Sequence, residues 1–326
     1  MNKSFFITLL FFMITPLFFN GCNFHNVKYT AEPKSFPYVS APTMLQGYEA
    51  AEYTATHFWN RYFDSTEVWL RQKSGAAPDT LVGGVTADNM TAAFREYLMA
   101  LWSVPYDKAI EAQTKLMTLA ESSLETDTSG RIYDYFTTTM ESALWHPLSE
   151  LRNEGMYIPV LESIIKTRRT REHYSVYYQQ QLASCMKNSP GSEAADFTFT
   201  DSKGRLQNLY GTSGEYILLL FSNPGCPACR EIVSVLKDSP AINEMEQDGR
   251  LSLLSIYIDE DLNEWYKGLS DYPEEWTTGY NQDLTIRDNL TYDIRAIPSI
   301  YLLDHDKKVI FKDISLSMLM LQLNRL

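Results

Sequence analysis

Hydrophobic positions change their period near residue 188, and that change divides the chain in two. Before it the spacing is helical. Thr43-Met44-Leu45-Gln46 has the form of a capping box, and Leu45, Tyr48, Ala51, Ala55, Trp59 and Tyr62 follow on one stripe. Met90, Phe94, Leu98, Leu101 and Trp102 predict a second helix starting from Thr86. Further helices are expected near 106–124, 130–145, 155–168 and 170–186, divided by Pro105, Pro147 and Pro159 or by polar turns. The aromatic residues on these stripes read as the filling of a helical core. After Asn188-Ser189-Pro190-Gly191 the pattern is that of strands. Asp196 to Thr200 and Arg205 to Tyr210 predict a hairpin about the turn 201–204. Tyr216 to Phe221 and Leu251 to Ile258 are continuous apolar runs, suited to strands buried on both faces. A helix is expected from Cys226 to about Lys237, and residues 260–292 are polar, aromatic and helical in part. Ser299 to Leu303 and Lys308 to Lys312 complete the strands, and an apolar helix over Leu316 to Leu323 ends the chain. The order hairpin, β, α, β, α, β, β, α predicts a layered α/β domain over 191–326, preceded by an all-α domain over 43–187.

Composition changes this picture little. Hydrophobic residues make up 44% and charged residues 21%, a globular balance. A net charge of -13 repels phosphate backbones, which argues against nucleic acid as a partner. The five histidines, at 25, 57, 146, 173 and 305, form no pair at ligand spacing, so no metal site is expected.

The N-terminus adds a location. Lys3 followed by the apolar run Phe5 to Phe19 fits a signal peptide over residues 1–21, too short to remain as a membrane span. Its end, Phe19-Asn20-Gly21-Cys22, resembles the bacterial lipobox, which implies lipidation of Cys22 and anchoring to a membrane. Residues 22–42 carry Pro33, Pro37 and Pro42 among polar residues and read as a tether.

The candidate chemistry is Cys226-Pro227-Ala228-Cys229. Directly after a buried strand and at the first turn of a helix, thiols at i and i+3 share one helix face and can close a small disulfide. The unpaired N–H groups of the helix N-terminus favour a thiolate, and Pro227 loses nothing at the first helical position. Cys226 is therefore expected to be the exposed nucleophile and Cys229 the resolving thiol. A zinc ribbon would need a second ligand pair, which the chain lacks, and a structural bridge across two residues would close almost no loop. Cys185 falls on a helical stripe with Tyr174, Tyr178 and Leu182 and is expected to be buried and inert.

Arg295-Ala296-Ile297-Pro298-Ser299, about seventy residues later and just before a strand, resembles the thioredoxin superfamily. The resemblance implies a thioredoxin-like fold, a cis-proline at Pro298 lying against the active-site disulfide, and an Ile297 backbone free to pair with a bound substrate segment. A closer resemblance is to membrane-tethered thiol-disulfide oxidoreductases of the TlpA/ResA branch. It is carried by 191–199, Gly204, 216–229, Trp276, Tyr292-Asp293-Ile294 and 297–304. Phe58-Trp59 and Gly155 to Pro159 are similar to a helical domain of unknown function that precedes such domains in some bacterial lipoproteins. Two positions depart from the pattern: Leu220 stands where thioredoxin has a buried acid, and Ile232 where ResA-like enzymes have a Glu. The proton acceptor for Cys229 is thus open, with Glu231, Asp259 and bulk water as candidates. The resemblance implies an envelope enzyme, facing the periplasm, that acts on disulfides of exported proteins. No flavin or nicotinamide motif is present and no cofactor is expected, so electrons would arrive from a membrane donor. The rival reading is a lipoprotein that binds a partner and keeps the thioredoxin fold as a scaffold.

Overall fold

Caps and aromatic packing, more than stripes alone, set the helices before residue 188. The computed structural model describes residues 32–72, 80–167, 169 and 172–325. The expected leader, Cys22 and the start of the tether lie outside the described residues. The helical region contains α1 (Gly47–His57), α2 (Asn60–Gln72), β1 (Leu81–Val82), β2 (Val85–Thr86), α3 (Ala87–Leu101), α4 (Tyr106–Ser122), α5 (Arg131–Met140), α6 (Glu154–Thr167) and α7 (Glu172–Met186). Thr86 caps α3 by accepting from the Asn89 amide, and Asp127 accepts from the Ile132 amide at 2.9 Å to start α5. The core is aromatic: the Trp59 ring meets Phe94 and Phe136, each at 4.8 Å between centroids.

Four expectations need correction here. The expected capping box at Thr43 lies before the helix; α1 starts after Gln46 with no side-chain cap, and Tyr48 is exposed. The first stripe is broken by a turn at Phe58-Trp59, which lets both rings enter the core. Pro159 does not divide helices but lies inside α6, where it forgoes one bond, to the carbonyl of Gly155. Residues 34–38 do not hang free as part of the tether. Lys34 donates its amide to Gly84 and Phe36 is buried among Phe58, Trp59 and Tyr62. The β1–β2 hairpin was missed, although its Gly83-Gly84 loop has φ of 54° and 87°, the geometry that favours glycine at both positions of a two-residue turn.

The second region has β3 (Thr198–Asp201), β4 (Leu206–Asn208), β5 (Tyr216–Phe221), α8 (Pro227–Lys237), α9 (Pro240–Gln247), β6 (Leu251–Tyr257), α10 (Leu262–Gly268), β7 (Thr277–Tyr280), α11 (Thr285–Asp288), β8 (Ser299–Asp304), β9 (Val309–Phe311) and α12 (Leu316–Leu323). One mixed sheet runs β4-β3-β7-β6-β5-β8-β9, parallel only across β5–β6 and β6–β7. Period two sorts the central strand. Ile217, Leu219 and Phe221 face a cluster with Phe197, Tyr292 and Tyr301. Leu218 and Leu220 face the other way, into a cluster shared with α8, α9, α12 and the aromatic core of the helical region. Two elements escaped the sequence reading. β7 has no aliphatic side chain to signal it, and its Gly279 admits the Phe199 ring where a Cβ would stand 2.4 Å away. α9 begins at Ser239-Pro240, a capping signal that was legible: Ser239 accepts from the Ile242 amide. No described helix is long and apolar enough to cross a membrane.

Candidate functional site

The site forms where β5 and β6 end. Phe221 pairs with Ile256 on one side and with Ser299 on the other, so Ser222 to Cys229, Tyr257 to Asp259 and Ile297-Pro298 share one end of the sheet. Cys226 is the N-cap residue of α8, with extended φ and ψ, and Pro227 takes the first helical position. Cys226 is half-buried, whereas Cys229, one turn on, is 1% exposed; both are free thiols. The i, i+3 spacing puts them one turn apart at the start of α8. Burial pushes the Cys229 thiol up to about 12; the neighbouring Cys226 thiol acts in the same direction, while the Asn223 amide and the Arg230 charge oppose it.

Asn223, unnoticed in the sequence, organises the loop before the helix. Its amide donates to Cys229 Sγ at 3.4 Å and its carbonyl accepts from the Cys226 amide at 2.9 Å. Its side chain accepts from the Gly225 amide at 2.8 Å and donates to Asp259 at 2.7 Å. The Asn-Pro-Gly turn signal before the cysteines could have pointed to it. Helix α10 closes the outer side: a Cβ on Gly268 would lie 2.0 Å from Pro224.

The candidate proton acceptors fare differently. Glu231 is exposed, with no hydrogen bond or ion pair among the described residues. Among the described residues, Asp259 is linked to Cys229 through Asn223. A third group stands at the start of the same loop. The Tyr272 hydroxyl bonds to Ser222 at 2.8 Å, Ser222 bonds to Ser255 at 2.9 Å, and Tyr272 is coupled electrostatically to Cys229. Burial raises the Tyr272 pKa, so this group keeps its proton at neutral pH and offers no base. Leu220 is 2% exposed within the shared apolar cluster. Cys185 is fully buried, and desolvation raises its thiol far above the ordinary range.

The peptide between Ile297 and Pro298 is cis, and both residues are half-buried. Neither the amide nor the carbonyl of Ile297 has a hydrogen-bond partner among the described residues. Among those residues, no group of three His, Cys, Asp or Glu side chains is placed to hold a metal ion.

Two family models match the chain. One, described as a domain of unknown function (DUF5106), covers residues 22–188, and one described as thioredoxin-like covers 214–309. A crystal structure of a thioredoxin-like protein from Bacteroides caccae is 31% identical over 90% of this chain and 99% of that one, with a TM-score of 0.67. The chain belongs to this thioredoxin-like, DUF5106-bearing family. Its second region is thus a thioredoxin-like domain on a mixed sheet, and the region before it is the helix-rich DUF5106 domain. The C-terminal domain of an uncharacterized protein from Bacteroides fragilis is 45% identical over 42% of this chain and 99% of that domain, with a TM-score of 0.42. The thioredoxin domain of a thiol-disulfide oxidoreductase from Bacteroides vulgatus is 25% identical over 42% of this chain and 96% of that domain, with a TM-score of 0.38. No curated protein matches the chain.

Proposed function

We propose that the chain is a thiol-disulfide oxidoreductase working through Cys226 and Cys229, anchored through a lipid on Cys22 and acting on disulfides of exported proteins. The observation that carries the reading is the difference between the two thiols: a half-buried sulfur at a helix N-terminus and, one turn on, a buried one that accepts from the Asn223 amide. The unpaired backbone of Ile297 at the same sheet end supports it, since an extended segment beside a disulfide needs such a partner. In the reducing direction the Cys226 thiolate attacks one sulfur of a substrate disulfide. That bond breaks, a substrate thiolate leaves, and a mixed disulfide forms. Cys229 then attacks Cys226 Sγ and releases the second substrate thiol. Two electrons and two protons pass to the substrate, and the enzyme holds a Cys226–Cys229 disulfide until a membrane-bound dithiol donor reduces it.

The test is trapping. Cys229→Ser keeps the first step and removes the second, so mixed disulfides with exported proteins should accumulate on Cys226, whereas Cys226→Ser should trap nothing. A folded Cys229→Ser chain that captures no disulfide-bearing partner would favour a partner-binding lipoprotein instead.

A further inference from the structure

The segment that carries Ile297 is held from the other region. Residues 293–298 form no regular element, so side chains decide where they lie. Arg295, two residues before Ile297, points into the helical region and its guanidinium is nearly enclosed there, with a side chain only 15% exposed. Nε and Nη2 donate to Glu154 Oε1 at 3.0 and 2.7 Å, Nη1 donates to the Trp145 carbonyl, and the guanidinium carbon stands 3.7 Å above the Trp145 ring. A planar fork uses all these partners at once, which fixes its orientation as a point charge would not.

Glu154 is itself fixed. It is 2% exposed and opens α6, where a carboxylate suits the positive end of the helix. Its Oε2 faces Lys312 Nζ at 2.7 Å as an ion pair without hydrogen-bond alignment. Lys312 in turn donates to the carbonyls of Ser184 and Lys187, each at 2.7 Å. The clamp on Arg295 is therefore part of a buried network that ties α6, the end of α7 and the residue after β9 together. Apolar packing would join the two regions at lower desolvation cost. What the ionic contact adds is a fixed position for one loop.

We propose that Arg295, held by Glu154 and Trp145, is a positioning residue: it sets the Ile297-Pro298 segment so that its backbone can pair with a peptide carrying the target disulfide. This rests on the oxidoreductase reading. Substrates with a chain to dock then depend on the helical region, and small disulfides that only need to reach Cys226 do not.

The test uses the full chain with Arg295→Lys, which keeps the charge and loses the fork, and with Trp145→Leu, which keeps the carbonyl and loses the ring. For a disulfide-bridged peptide kcat/KM should fall roughly ten- to a hundredfold, mainly through KM, while reaction with dithiobis(nitrobenzoate) stays within about twofold. Backbone amide order parameters at residues 295–297 should fall in both variants, with those in β5 and β6 unchanged. Equal losses toward both disulfides, or unchanged kcat/KM toward the peptide, overturn the proposal. If the wild type turns over no disulfide, the oxidoreductase reading fails, and the order parameters alone decide the loop: unchanged values at 295–297 overturn its positioning.

Discussion

The pH dependence of the resolving step follows from where Cys229 sits. Burial is the largest cause of its rise to about 12, and that cause persists when Cys226 is tied up in a mixed disulfide and can no longer carry charge. With a pKa near 12 in the reduced pair, roughly one Cys229 in 10⁵ is a thiolate at pH 7, and in the mixed disulfide burial still holds the thiol above its ordinary range. Because the thiolate is the attacking form, the rate of resolution should climb about tenfold per pH unit between about pH 6 and pH 9, with no plateau. Stopped-flow reaction of the reduced Cys22→Ser chain with excess dithiobis(nitrobenzoate) separates the steps. Attack by Cys226 releases one nitrothiobenzoate in a phase that scales with reagent. Attack by Cys229 on the resulting mixed disulfide releases the second in a phase independent of reagent. Cys226→Ser should abolish both phases. Arg230→Gln should slow the second at every pH, since the Arg230 charge favours the Cys229 thiolate. A second phase that levels off below about pH 9 would refute the reasoning, because it would reveal a nearby base or a much less buried thiol.

Three other outcomes are expected. Gly268→Ala drives a methyl into Pro224, so it should cost about 1–3 kcal/mol in urea unfolding and slow the first phase of the same reaction; wild-type values for both would contradict the packing of α10 on the loop before Cys226. Phe136→Ala removes a fully buried ring from the aromatic cluster of the helical domain and should cost about 3–5 kcal/mol by chemical unfolding, with a loss under about 1 kcal/mol counting against that core. Asp313 has its carboxyl pushed by burial from 3.8 to about 6, so between those values the native state holds a proton the unfolded chain has released, and stability falls as pH rises through them. Relative to Asp313→Asn, the wild type should lose up to ~3 kcal/mol between about pH 4 and pH 7.5, and a constant difference across that range would rule the shift out.

What the sequence made legible was local. Cys226-Pro227-Ala228-Cys229 reports its own geometry, because the helix that aligns the thiols is built from the same few residues. Tyr216 to Phe221 and Leu316 to Leu323 were bounded as found, since a buried strand and an apolar helix announce themselves by composition. The groups around the thiols were not legible. Tyr272 lies 50 residues from the serine it bonds, and Glu154 lies 141 from Arg295, so no window of sequence contains either pair. β7 was hidden for another reason: Thr277-Thr278-Gly279-Tyr280 is a strand because β6 and β3 pair with it, not because of its own side chains.

Leu220 connects the chemistry to the architecture. The resemblance to thioredoxin leads one to expect a buried acid there, yet the position faces the apolar cluster that runs without a break from the sheet into the DUF5106 helices. A carboxylate at that point would be desolvated and without a partner, which costs several kcal/mol or forces it to stay protonated. Leucine lets the two cores merge, and the buried acids Glu154 and Asp313 stand instead where Arg152, Arg295 and Lys312 can face them. The consequence reaches Cys229, which among the described residues has no carboxylate bonded to it and keeps its proton at neutral pH. The attacking form is generated by loss of that proton to solvent, and the steep pH profile expected of the resolving step is the measurable mark of that exchange.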